Sequence, residues 1–147
     1  TPKLDTTQFK DWLLKCGKTE TDSKKLCILE QTLFLKEKNQ RILSIVIKKS
    51  PELDKFFAVI TAPLGIYLAP GLHLQVDQRE LKKFPVTFCF QQGCQTHIEF
   101  TEELANDFKK GEKCKIAIFD TNQKMITLGF SLSGFTKAFS ALKKIKG

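Results

Sequence analysis

Arginine is almost missing from this chain: only Arg41 and Arg79 stand among its 24 cationic residues, and lysine supplies the rest. Arginine is the usual instrument for bidentate reading of bases and phosphates, whereas lysine is a compact, strongly hydrated point charge. No stretch interleaves the lysines with exposed aromatics as a single-strand binder would. A specific nucleic-acid interface is therefore not expected. A CxxC pair is also lacking, although there are five cysteines. That removes the usual zinc knuckle and the thioredoxin-type redox couple. GxSxG, HExxH, P-loop and dinucleotide fingerprints do not occur, so no catalytic class and no cofactor is indicated. No apolar run approaches the ~20 residues that span a bilayer. The longest, Ile42 to Ile47, is one strand long. The chain also begins at Thr1 without a methionine or a signal-like stretch. Either no targeting segment existed or one has been removed.

What is present reads as a globular domain. A chain of 147 residues buries roughly 68–70% of its unfolded surface on folding. Hydrophobic residues make up 41% and charged residues 27%, ordinary values for such a domain. Without repeats or linkers, one domain over 1–147 is the economical reading. The net charge of +8 is spread in short groups, such as Lys48–Lys49, Lys82–Lys83, Lys109–Lys110 and Lys143–Lys144. Such a surface keeps the chain solvated and attracts acidic membranes, glycans or nucleic acid only weakly and with strong salt dependence.

Period-two patterning dominates. Leu72, Leu74 and Val76 share one face of LHLQVD; Cys114, Ile116 and Ile118 share one of CKIAIFD; Ile126, Leu128, Phe130 and Leu132 share one of ITLGFSL. Residues 26–35 and 41–47 are apolar enough for buried strands, with KEKNQ as their turn. Turn signals recur at SPELD, APLG, APG, QQG, KKG and DTNQ. The fold class is mainly β: an antiparallel sandwich or flattened barrel. Two stretches leave the period. TEELANDFKKG has acids first, lysines last, and Leu104, Ala105 and Phe108 on one side, so a short helix is expected near 101–110. Phe135, Ala138, Phe139 and Leu142 stand at helical spacing and predict an amphipathic helix near 134–146, preceded by SLSGF as turn and cap.

The cysteines can staple such a fold. A short hairpin turn within FCFQQGC sets Cys89 opposite Cys94, and facing antiparallel residues lie about 4.5–5.5 Å apart at Cα, within reach of a disulfide. Cys16 and Cys27 flank the polar stretch GKTETDSKKL, which is expected as a loop. Each closure contributes about 2–3 kcal/mol through loop entropy. Cys114 is left over and points inward as an inert thiol. Two disulfides imply an oxidising compartment. The hairpin leaves a conflict of phase: Phe84, Val86, Phe88 and Phe90 fall opposite the disulfide, while Ile98 and Phe100 share its face. A bulge after Cys94, or burial of both faces, would resolve it.

Chemistry has two candidate locations. His73 with Asp77 and His97 with Glu99 could form one polar cluster for a metal or acid–base role if their strands were neighbours. PLGIYLAPG is the other. Pro63, Gly65, Pro70 and Gly71 stiffen it around Tyr67, so it can present a binding loop at little entropic cost. In the opposing reading Tyr67 belongs to the core.

The order Trp12-x-x-x-Cys16, Cys27, PLG at 63–65, PG at 70–71, Cys89-x4-Cys94 and SLSGFTKAF at 131–139 resembles the invasion-associated locus B family of Gram-negative bacteria, over nearly the whole chain. Within that family the lysine-rich composition suits a Bartonella member. The resemblance implies an exported envelope protein, in the periplasm or at the cell surface with its signal peptide removed, that contributes to invasion of host cells, especially erythrocytes. The family cysteines map onto Cys16, Cys27, Cys89 and Cys94; no catalytic residues come with them. The function expected is a non-enzymatic binding or adhesion module, with peripheral membrane association open and a host-cell or envelope protein or glycan surface as partner. The alternative is an envelope enzyme or metal-dependent hydrolase at His73 and His97. Peptide mapping of a non-reduced digest should recover Cys16 linked to Cys27 and Cys89 linked to Cys94, with Cys114 alkylated only after unfolding. A bond to Cys114 would refute the strand register.

Overall fold

The computed structural model describes residues 5–19, 22–35, 40–50 and 55–144. The expected turns at KEKNQ and SPELD lie almost wholly outside these residues, as does the tail beyond 144. Among the described residues, eleven strands and two helices follow in chain order. They are β1 (Asp5–Phe9), β2 (Trp12–Thr19), β3 (Asp22–Leu35), β4 (Gln40–Ser50), β5 (Lys55–Ala62), β6 (Leu72–Val76), β7 (Lys82–Phe84), β8 (Phe88–Phe90), β9 (Gly93–Glu99), α1 (Glu102–Lys110), β10 (Lys113–Phe119), β11 (Met125–Ser131) and α2 (Phe135–Lys144). The strands form a seven-stranded sheet, β1-β2-β3-β4-β5-β9-β8, and a four-stranded sheet, β11-β10-β6-β7. Every pairing is antiparallel. Neither sheet closes into a barrel, so of the two expected architectures the open sandwich is the one found.

Alternation decides which side of each strand is buried. Leu72, Leu74 and Val76 on β6 and Cys114, Ile116 and Ile118 on β10 face inward against Leu29, Leu43, Ile45, Ile47 and Ile60 of the larger sheet. α1 forms where Thr101 accepts the Leu104 N–H at 3.2 Å as N-cap and where acids and lysines match the helix dipole. It buries Leu104, Ala105 and Phe108, as its spacing predicts. α2 buries Phe135, Ala138, Phe139 and Leu142. Between the helices and the sheets lies an aromatic cluster: Trp12 and Phe135 at 5.3 Å between centroids, Phe100 and Phe108 at 5.0 Å, Phe108 and Phe135 at 5.2 Å, Phe56 and Phe139 at 5.0 Å. These edge-to-face contacts suit the ring quadrupole.

Two sequence expectations change. The stretch GKTETDSKKL is not a loop: β2 runs to Thr19 and β3 starts at Asp22, with Gly17 paired to Leu26 and Lys18 to Lys25. Facing Cys16 and Cys27 set the register, and backbone pairing then continues past them whatever the side chains. The phase conflict around Cys89 is also resolved, without a bulge and without burial of both faces. β8 and β9 pair in uninterrupted register, Cys89 to Cys94 and Phe90 to Gly93. Cys94, Thr96, Ile98 and Phe100 point inward, and Phe88 and Phe90 simply face solvent. Phe84, Val86, Phe88 and Phe90 do not share one strand face, because no single strand runs from 84 to 90. Phe84 ends β7 in one sheet and Phe88 starts β8 in the other. Pro85, which lacks an N–H for any ladder, stands between them.

A polar clamp holds the two sheets at a corner. Gln31, on β3 and almost fully buried, directs its carboxamide at the free edge of β11. Its Nε2 donates to the Ser131 carbonyl at 2.8 Å, and its Oε1 accepts the Ser131 N–H at 2.9 Å. The side-chain amide thus supplies the pair of bonds that a neighbouring strand would. The Trp12 indole donates to the same carbonyl at 3.0 Å. The Ser131 hydroxyl donates to Asp11 and accepts the Ser133 N–H. The chain then turns through Gly134, whose φ of +88° and position against the Phe9 carbonyl leave no room for a Cβ. SLSGF is therefore a turn, and its first serine is a junction that sequence reading missed. Gln31→Ala should lower stability by about 1–3 kcal/mol in urea denaturation, because it leaves the part-buried Ser131 N–H without a partner and its carbonyl with the Trp12 indole alone. Thr32→Ala, on the opposite face of the same strand, should cost under about 1 kcal/mol.

Candidate functional site

Residues 63–71 carry the chain from β5 in the larger sheet to β6 in the smaller one. Pro63 and Pro70 are half-buried, and Gly65 lies exposed between them. Two backbone bonds anchor the segment: Tyr67 N–H to the Phe119 carbonyl at 2.8 Å, and Gly71 N–H to the Leu68 carbonyl at 3.0 Å. Gly71 has φ +74° and sits so close to the Phe84 carbonyl that a side chain would collide with it. Ile66 is the residue that packs inward on the core. Tyr67 is 37% exposed, with Leu64 at 54% and Leu68 at 48%. The crossover is thus pinned at its end and middle while offering three large apolar side chains to solvent.

The surface continues onto the outer face of the smaller sheet. Phe119, whose carbonyl holds Tyr67, meets the His73 ring edge-on at 5.2 Å. Phe119 is paired across the ladder with Met125. Next to them His73, Leu81, Ala117 and Met125, with Lys115, line a shallow depression of about 420 Å³. Leu81 and Met125 are exposed. Sequence reading missed this part, because a strand order is needed to bring residues 73, 81, 117 and 125 together.

The proposed histidine cluster is not assembled. His73 is on β6 in the four-stranded sheet and His97 on β9 in the seven-stranded one. Each partner is engaged locally. The Asp77 carboxylate accepts the backbone N–H groups of Glu112 and Lys113 at 3.0 and 3.1 Å, fastening the entry to β10. Glu99 pairs with Lys55 at 3.2 Å. His97 meets Gln95 at 3.1 Å and the Phe88 ring at 5.3 Å. Among the described residues no three metal-binding side chains converge. Residues that alternate outward on two strands share a site only if the strands are neighbours, and these are not.

The architecture defines a class first: a two-sheet antiparallel β protein whose larger sheet has one stapled hairpin at its β8 edge and another one strand in from its β1 edge, with α2 packed over the core. The family described as invasion associated locus B (IalB) protein matches residues 12–143, and the chain belongs to that family. Proteins of Brucella abortus described as invasion protein B homologues, from strain 2308 and from biovar 1 strain 9-941, are each 22% identical over 138 residues. Those alignments cover 93% of this chain and 78% of the relatives. The crystal structure of invasion associated protein b from Bartonella henselae shares the fold, with a TM-score of 0.82 at 22% identity over 94% of each chain. The Brucella relatives and the Bartonella structure are matched at equal identity.

Two disulfides are present, Cys16–Cys27 and Cys89–Cys94, with Cα atoms 4.1 and 3.9 Å apart. Each joins directly facing residues of an antiparallel pair. Cys114 is free and buried. Burial, and secondarily the Asp77 carboxylate, push its thiol up to about 12 from an ordinary 9.0. The native chain therefore keeps this proton between pH 9 and 12 while the unfolded chain loses it. The stability tied to the neutral thiol is complete below pH 9 and falls as pH rises through that window. A steeper loss of stability from pH 9 upward should be seen in the natural chain than in Cys114→Ala, by denaturant titration. At pH 8, labelling of Cys114 by a thiol reagent should be no faster than unfolding.

Proposed function

We propose that this chain is an exported, non-enzymatic binding module of the Gram-negative envelope that promotes host-cell invasion, including that of erythrocytes. Its place would be the periplasm or the cell surface. The observation that carries the reading is the crossover 63–71, which exposes Leu64, Tyr67 and Leu68 on a backbone held by Phe119 and Gly71. A pre-ordered loop loses little entropy on association, and an exposed tyrosine supplies rigid amphipathic contact area. Membership of the invasion associated locus B family supports the invasion role, and the two disulfides support an oxidising compartment. The partner would be a protein or glycan surface of the host cell or the envelope. The lysine surface adds salt-sensitive attraction and allows peripheral membrane association. No helix among the described residues is long and apolar enough to cross a membrane. The competing enzymatic reading loses its one candidate site, since His73 and His97 lie in different sheets.

Immobilised protein should retain partners from solubilised erythrocyte membranes more strongly at low than at physiological salt. Tyr67→Ala should stay folded by circular dichroism and lose about ten-fold in affinity for the captured partner, which corresponds to roughly 1.4 kcal/mol. Unchanged capture by the folded variant would remove the loop from recognition, and indifference to salt would remove the lysines.

A further inference from the structure

At the other end of β5 from the crossover, α1, α2 and the last residues of β9 enclose an open groove of about 470 Å³. This volume lies within the range of small-molecule sites. Its floor is aromatic: Phe56 and Phe100 meet Phe139 edge-on at 5.0 and 5.5 Å between centroids. Its rim is basic. The ammonium groups of Lys109, from the last turn of α1, and Lys143, from the last turn of α2, each stand 5.6 Å from the centre of the same Phe139 ring. Two like charges drawn to one ring repel each other, and neither has a carboxylate partner among the described residues. The acids lining the groove do not relieve them. Glu99 is bound to Lys55 at 3.2 Å. Glu102 lies in the first turn of α1, seven residues before Lys109, or about 10 Å along the helix axis. An anion placed between the two lysines would satisfy both, and as the flexible side chains turned toward it they would leave the face of Phe139, now only 3% exposed, as an apolar floor.

We infer that this groove binds a single-chain anionic amphiphile, its carboxylate or phosphate head between Lys109 and Lys143 and its apolar body on Phe56, Phe100 and Phe139. The charge of the rim and the aromatic floor select together: an inorganic anion would miss the floor, and a neutral amphiphile would leave the lysines unrelieved. The site is separate from the crossover surface and does not depend on its role. The ligand is a monomer seated in the groove, not the surface of a bilayer.

The test is titration of the intact, oxidised protein with dodecyl phosphate and with dodecanoate below their micelle concentrations, followed by amide chemical shifts and calorimetry. Both should bind saturably at one site, with shifts centred on residues 100–109 and 135–143. Inorganic phosphate and dodecyl maltoside should bind at least ten-fold more weakly. The double variant Lys109→Gln/Lys143→Gln should weaken dodecyl phosphate binding at least ten-fold. Lys110→Gln/Lys137→Gln, which removes the same charge from exposed positions on the same helices, should change it less than two-fold. Equal loss in both double variants, shifts centred on 63–71, or binding to phosphatidylglycerol vesicles with none to the monomeric amphiphiles would each overturn the inference.

Discussion

The carboxamide of Gln31, set against the backbone of Ser131, is the contact on which the rest of the structure hangs. β11 is the edge of the smaller sheet, and an edge strand has backbone groups with no ladder partner. Here those groups turn toward the core, where leaving them unsatisfied would be costly. One side-chain amide from the middle of the larger sheet meets both, and the Trp12 indole adds a second donor to the same carbonyl. The sheets are thereby joined by directional bonds as well as by apolar contact. The same junction aims the chain into α2, because Ser131 also holds Asp11 and Ser133, and Gly134 fits against Phe9.

From that starting direction the aromatic core follows. α2 leaves the junction with Phe135 against Trp12 and reaches Phe139, which touches Phe56 and Phe100. The interior rings are nearly all phenylalanine and have no polar tip to satisfy. The one indole among them points its N–H at the polar junction. A ring cluster of this kind is a continuous wall. Where it reaches the surface between α1 and α2 it becomes the floor of the basic groove. The core and that groove are one object seen from two sides.

Two further exposed apolar surfaces arise where the chain changes sheet. Residues 63–71 and the stretch from Phe84 to Phe88 are both crossings, and at each a local hydrophobic pattern is cut. Tyr67 and Leu68 at the first, and Phe88 and Phe90 after the second, are left facing solvent. The stapled β8–β9 hairpin keeps a short edge strand in register despite its outward phenylalanines.

Strand periodicity, the two helices and both cysteine pairs were legible in the sequence, because each depends on side chains within a few residues or on cysteines that face across one hairpin. Leu72, Leu74 and Val76 had to share a side, and a short turn of either two or four residues sets Cys89 opposite Cys94. Sheet membership was not legible. It depends on which strands pair over long separations, and nothing local to His73 or His97 says that they belong to different sheets. Gln31 looked like one polar residue among others until β11 was brought 100 residues back to it. In the sequence Lys109 and Lys143 belong to two separate lysine groups, and only the packing of α1 beside α2 sets both over one ring. Local alternation and turn chemistry act through neighbouring residues; the clamp, the crossover surface and the groove are made of residues that become neighbours only when the sheets and helices pack.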